Sequence, residues 1–156
     1  MSFRLPKKAG LWFKHIKGNG NGFELDFDSY YFCLIAGLAK GSKPAAPQSE
    51  STEIIQQFPK EYQPNRHLII ALYLNAKLKN MGISLGERTA LNELLTKLIN
   101  PISATGLSDE GMKDLNQYAF GGFQELHEYF PDPPRSLDSF LVEFYRFLNA
   151  TNTNDE

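Results

Sequence analysis

The three histidines and the single cysteine have the most obvious chemical potential, and their spacing does not assemble a site. His15, His67 and His127 are far apart in the chain, and none belongs to an HExxH or HxH pattern that would bind a metal. Cys33 lies in the most apolar segment, where burial raises a thiol pKa and suppresses thiolate chemistry. We therefore predict a core cysteine, no metal site, no cofactor and no catalytic residue.

Two shorter patterns are typical of phosphate binding or proton transfer. Residues 18–22 form a GxGxG string, but no Lys-Ser or Lys-Thr pair and no βαβ pattern follows it, so a flexible turn is the better interpretation. Glu24, Asp26 and Asp28 would share one face of an extended segment, which is the ordinary pattern of a half-buried edge. An enzyme stays a hypothesis that requires the histidines to meet carboxylates in a deep pocket.

A basic N-terminal arm, residues 1–22, is the first feature that indicates a function. It holds five basic and no acidic side chains, with two aromatic rings among them. Cations bind phosphates while aromatic rings stack on bases, and such binding weakens steeply as salt rises. The arm could instead lie against an acidic face of its own chain, of a second copy or of another protein. The candidate nucleic-acid-binding residues are Arg4, Lys7, Lys8, Trp12, Lys14 and Lys17.

The second feature is a concentration of aromatic side chains between residues 118 and 147. A small domain buries only part of such a set, and the remaining rings mark protein interfaces. Core packing is the alternative role for the same residues. The candidate protein-interface residues are Phe120, Phe123, Phe130, Phe140, Phe144 and Phe147.

Composition bounds the class of protein. A length of 156 residues predicts one domain, 1–156, and 42% hydrophobic content is too high for a wholly disordered chain. One cysteine excludes an internal disulfide framework, and no stretch approaches the ~20 apolar residues of a membrane span. We therefore expect a cytoplasmic protein without a membrane partner. The net charge of −2 averages the basic arm, a balanced middle and an acidic end, since residues 108–156 hold ten acidic and three basic side chains.

The elements that would position these side chains are mainly helices, so the predicted fold class is all-α, with about six helices and an optional short N-terminal β-ribbon. Residues 9–27 fit either a helix and glycine turn or a hairpin. Asp28 should cap a buried helix over 29–40 that stops at Gly41. Residues 42–50, rich in Pro and Ala, predict an exposed linker within the domain, and a short helix is expected near 52–58.

The second half of the chain carries clearer helix signals. Pro64 opens one helix, the run Ser84-Leu85-Gly86-Glu87 predicts a capping box for the next, and Ser108 and Ser136 should cap the last two. The polar tail 151–156 is expected to fray.

Three blocks of the sequence resemble a known family. They are the basic opening Arg4-Leu5-Pro6-Lys7-Lys8, residues 30–43 (YYFCLIAGLAKGSK) and residues 118–130 (YAFGGFQELHEYF). They look like the small accessory proteins of bacterial DNA phosphorothioation and related phage-defence systems. The resemblance implies a non-catalytic role beside partners that modify or translocate DNA. It implies no site residue, because the blocks contain no defined site.

The sequence therefore predicts a non-catalytic helical interaction subunit of a prokaryotic multi-protein assembly, in DNA modification or phage defence. A small nucleic-acid-binding protein that uses the basic arm is the alternative. Protein partners and homo-oligomers are both expected, with DNA or RNA as a ligand of the arm under the alternative. The sequence leaves open the partner's identity, the stoichiometry and any nucleotide preference.

Overall fold

A computed structural model describes residues 1–18 and 20–152 of the chain. These residues form six α-helices and one small antiparallel sheet of two strands, in the order β1-α1-α2-β2-α3-α4-α5-α6. The predicted all-α class, with its short N-terminal ribbon, is confirmed.

The ribbon pairs strands that are far apart in sequence. Strand β1, Phe3–Pro6, runs antiparallel to β2, Ser51–Ile55, with Leu5 opposite Thr52. The helix expected near residues 52–58 is therefore wrong. Thr52, Ile54 and Ile55 are β-branched side chains, which favour an extended chain, and β1 supplies the backbone partners that the segment cannot find locally.

Helix α1, Lys7–Trp12, follows β1 directly and leads into a tight loop. The loop closes where the Gly18 amide donates to the Phe23 carbonyl and the Phe23 amide donates to the Ile16 carbonyl, which together form an isolated parallel bridge between Lys17 and Phe23. Of the two alternatives for residues 9–27, the structure has the short helix and glycine turn. No strand pairs residues 11–13 with 23–27 in the part of the chain that the structure describes.

Helix α2, Asp26–Lys40, is the centre of the fold. Its N-cap is Leu25, three residues earlier than predicted, and Asp28 caps it from inside the first turn because its carboxylate accepts the Leu25 amide at 3.0 Å. Gly41 ends the helix as expected, in the left-handed conformation with φ of 66°.

Helix α5, Asp109–Tyr129, crosses α2 at glycines on both helices. A Cβ placed on Gly122 would overlap the carbonyl oxygen of Cys33, and one on Gly37 would overlap that of Tyr118. The backbones of the two helices therefore touch directly, which is the close approach that the Gly121-Gly122 pair allows.

Residues 42–50 connect α2 to β2 across the surface of α5. Ser42 and Pro44 lie against Gly121, and a single 3₁₀ turn, Gln48–Glu50, precedes β2. The segment is largely exposed and otherwise has no regular structure.

Helices α3, Arg66–Met81, and α4, Arg88–Leu98, follow a 3₁₀ turn, Lys60–Asn65. The capping box predicted for α4 is only half formed. The Glu87 carboxylate accepts the Ser84 amide at 2.6 Å, but the helix begins at Arg88, so this bond stabilises the loop before α4 rather than its first turn.

Helix α6, Leu137–Asn152, packs against α2 and completes the core. The predicted caps are confirmed at both late helices: the Ser108 hydroxyl accepts the Gly111 amide at 3.1 Å, and Ser136 accepts the Ser139 amide at 3.2 Å. The expected frayed tail begins inside α6, and its residues 153–156 lie outside the described part of the chain.

Candidate protein-interaction surface

The outward side of helix α6 carries three large apolar side chains next to one another. Leu141 is 41% exposed, Val142 is 52% exposed and Tyr145 is 67% exposed. Since residues three and four positions apart are neighbours on a helix surface, Tyr145 lies next to both Val142 and Leu141, and the three form one patch, which we call the α6 outer face. Contiguous exposed apolar side chains of this kind are typical of an interaction site.

The opposite side of α6 packs in the core and holds the patch in one orientation. Phe140 and Phe144 make edge-to-face contacts with Phe32 of α2 at ring-centroid distances of 5.2 and 5.0 Å, and Phe147 is buried. The α6 outer face is therefore a rigid surface, because turning the helix would expose three phenylalanines.

Charged side chains of opposite sign flank the patch. Asp138 is exposed one turn before Val142, and it has no ion pair among the residues that the structure describes. Arg146 lies one turn after Val142, is 64% exposed, and donates to Glu143 at 2.6 Å. The α6 outer face thus has an acidic end and a basic end.

The six predicted interface phenylalanines lie inside the molecule instead. Each is at most 7% exposed. Five of them belong to the hydrophobic core together with Phe13 and Phe23, which is the alternative role for these residues, whereas Phe120 is buried outside that core and lines a groove. The predicted interface residues were Phe120, Phe123, Phe130, Phe140, Phe144 and Phe147.

The basic side chains of the predicted arm fall into two groups, those that are exposed without an ion pair and those that are bound to other residues. Lys7, Lys8 and Lys14 are exposed and form no ion pair within the described residues. Lys17 pairs with Asp26 at 3.0 Å, and the Arg4 guanidinium donates to the side chain and carbonyl of Ser51, which ties β1 to β2. The arm therefore presents fewer free cations than its sequence indicates.

Trp12 is a core residue. Its ring is 5% exposed and makes edge contacts with Phe13, Phe123 and Phe130 at centroid distances of 4.8, 6.0 and 5.3 Å. Stacking on a nucleic-acid base would require the ring to leave the core, so the predicted role of Trp12 does not fit this placement.

A buried polar cluster, which sequence reasoning missed, surrounds Asp114 on α5. Its carboxylate accepts a hydrogen bond from Tyr73 at 2.6 Å and pairs with Lys77 at 3.0 Å and with Lys43. Burial alone would raise the pKa of Asp114, but the three donors outweigh burial and hold that pKa below its usual value. The cluster joins residues 42–50, α3 and α5, and nothing in the local sequence around Asp114 indicates its partners.

Open grooves lie along α5, among them two with both acidic and basic side chains in their walls. One, of about 710 Å³, is lined by Lys7, Lys8, Phe123 and His127 together with acidic side chains. The other, of about 650 Å³, has the Asp114 cluster in its wall. Both grooves carry mixed charge, so neither selects a strongly charged ligand.

The remaining candidates for chemistry stay apart. His15, His67 and His127 are all exposed, and no group of three or more His, Cys, Asp or Glu side chains within residues 1–18 and 20–152 could hold a metal ion. Cys33 is fully buried, and burial raises the pKa of its thiol. The interpretation of Cys33 as a core cysteine agrees with this environment.

Comparison of the chain with protein-family models, with curated protein sequences and with solved structures finds no match. Within the described residues, no helix is both long and apolar enough to cross a bilayer.

Proposed function

We propose that this chain is a non-catalytic helical interaction subunit that binds protein through the α6 outer face. The observation that carries the proposal is the exposure of Leu141, Val142 and Tyr145 on a helix whose other side is locked into the core. Fully burying a large apolar side chain gains ~1.5–3 kcal/mol, and a partner that covers these partly exposed side chains recovers a fraction of it.

From the family resemblance of the three sequence blocks, we extend this proposal to the assembly in which the chain acts. It supports an accessory role in a prokaryotic assembly that modifies DNA or defends against phage. Under this proposal the chain contributes contacts rather than chemistry.

A test in the native cell compares the assembly formed by the wild-type chain with that of a variant carrying Leu141→Asp and Tyr145→Asp. Two carboxylates in the patch would have to be buried on binding, so the stoichiometric partner should be lost. The measurement is the composition and native mass of the affinity-purified assembly. Leu85→Asp is the matched control, because Leu85 is 75% exposed in the loop between α3 and α4. Retention of the partner by the α6 variant would contradict the proposal.

A second candidate function is nucleic-acid binding by the basic arm, favoured by the three exposed lysines Lys7, Lys8 and Lys14. Three phosphate contacts predict weak binding with a shallow salt dependence. Fluorescence anisotropy with labelled single-stranded and duplex oligonucleotides at low salt measures it. Replacing the three lysines with Ala should abolish binding, whereas Ala at Lys60, Lys79 and Lys113 should leave it unchanged. Absence of binding by the wild-type protein would reject this function.

A further inference from the structure

The charged side chains that flank the α6 outer face are complementary to those of a second, antiparallel copy of the same face. Asp138 and Arg146 lie four residues before and four residues after Val142, so each is about 6 Å along the helix from the centre of the patch. A second α6 running antiparallel, with its Val142 against this Val142, places each Asp138 opposite the other copy's Arg146. A parallel arrangement would instead place Asp138 against Asp138 and Arg146 against Arg146.

We infer that the partner of the α6 outer face is a second copy of this chain, bound by antiparallel α6–α6 packing about a two-fold axis at Val142. This inference rests on the proposed function, since it names the protein that covers the same patch. A two-fold axis makes every contact occur twice, so one Asp138–Arg146 attraction becomes two.

The apolar side chains occupy the middle of this interface. Val142 meets Val142 at the axis, and Leu141 and Tyr145 lie together on one side of it around the helix. Glu143 lies on the other side, near the same residue of the second copy, and Arg146 of the same chain neutralises it at 2.6 Å. Such an arrangement has an apolar centre and a charged rim, which is the usual anatomy of a protein interface.

Arg146 can serve both its present partner and the second copy. Its guanidinium uses one nitrogen for Glu143 at 2.6 Å, and a guanidinium has five N–H donors. The Asp138 carboxylate has no ion pair among the described residues, so it is free to accept from the second copy. Since one pair of helices buries less area than the ~1,600 Å² of a standard interface, we expect a dimer that dissociates in the micromolar range.

The register is tested by a charge-swap series followed by sedimentation velocity from micromolar to millimolar protein. Asp138→Arg and Arg146→Asp each turn two attractions into two repulsions, so each variant alone should dimerise about tenfold more weakly or worse. An equimolar mixture of the two variants restores both attractions and should recover the wild-type dimer, as should the chain that carries both changes. If the mixture does not recover, the inference is overturned.

Cross-linking tests the axis itself. Cys33 is buried, so Val142→Cys introduces a single accessible thiol, and mild oxidation should convert most of this variant to a covalent dimer. Leu85→Cys, similarly exposed, is the control and should stay monomeric. A wild-type chain that is monomeric up to millimolar concentration overturns the inference. The proposed function survives that result if the variant with Asp at positions 141 and 145 still loses a different protein in the native cell, and fails with it if no partner depends on the patch.

Discussion

At the scale of single residues, Asp114 is the charged side chain, among those described, that connects the most separate segments of the fold. Its carboxylate joins Lys43 from the α2–β2 connection to Tyr73 and Lys77 of α3. The lysine and tyrosine donors hold the pKa of Asp114 below its usual value despite burial. Because the folded pKa is lower than the unfolded one, the ionised carboxylate stabilises the fold above about pH 4. This stabilisation is lost as the pH falls through the folded pKa.

Asp114→Asn should therefore lower the free energy of unfolding at neutral pH by about 3 kcal/mol, because Lys77 loses its counter-charge in a half-buried site. It should also flatten the acid dependence of stability, since the group that titrates has gone. Urea unfolding between pH 7 and 3 measures both effects. Asp132→Asn in the exposed loop before α6 is the control, with an expected change under ~0.5 kcal/mol. Equal loss of stability in both variants would contradict the role given to Asp114.

At the scale of elements, the crossing of α2 and α5 has no room for a side chain, whereas α1 has a glycine in open space. A Cβ on Gly122 meets the Cys33 carbonyl, while a Cβ on Gly10 meets no atom within 4 Å. The same substitution should therefore have opposite effects on stability at the two positions.

Gly122→Ala should destabilise the protein by about 3 kcal/mol, because the helices must separate to admit the methyl group. Gly10→Ala should stabilise it by about 0.5–1 kcal/mol, because alanine restricts the unfolded chain and favours a helix. Urea denaturation monitored by circular dichroism compares the two. A neutral Gly122→Ala would show that the helices cross at a greater distance than the structure has them.

The same scale shows what the sequence could predict. Local signals predict the helix ends correctly, because they act through neighbouring residues. They are the serine caps at Ser108 and Ser136 and the helix end at Gly41. The β-branched residues of β2 favour an extended chain, but its partner strand lies about 50 residues earlier, and no local pattern predicts that pairing.

Helix α6 shows why the sequence did not predict the residues of the interaction surface. Its apolar stripe, from Leu137 to Leu148, is wide, so the period locates a helix but does not say which part of the stripe faces the core. The prediction chose Phe140 and Phe144 as interface residues, and the structure exposes Leu141 and Tyr145 instead. The two phenylalanines are buried because Phe32 of α2 supplies an aromatic partner to both, which is a tertiary effect.

At the scale of the whole molecule, the basic arm lies against the acidic C-terminal helices, mainly through apolar contacts. Trp12 meets Phe123 and Phe130 of the α5 region and Phe140 of α6. The N-terminal 16 residues are therefore part of the same core as the last two helices, rather than an appendage.

The basic arm and the helices should consequently unfold in a single cooperative transition. Fluorescence of Trp12, the only tryptophan, and far-UV circular dichroism should report the same urea midpoint. Trp12→Ala should lower the free energy of unfolding by about 3–5 kcal/mol. A fluorescence transition at clearly lower urea would mean that the arm detaches first.

The distance along the chain between α2 and α5 has a consequence for biosynthesis. Roughly 70 residues separate the end of α2 from the start of α5, and ribosomes add about 5–20 residues per second. Each nascent chain thus carries α2 for several seconds before the helix that covers it exists. Chains released before residue 109 lack that cover altogether, so premature termination yields fragments with an exposed apolar helix, the kind of surface that chaperones and proteases recognise.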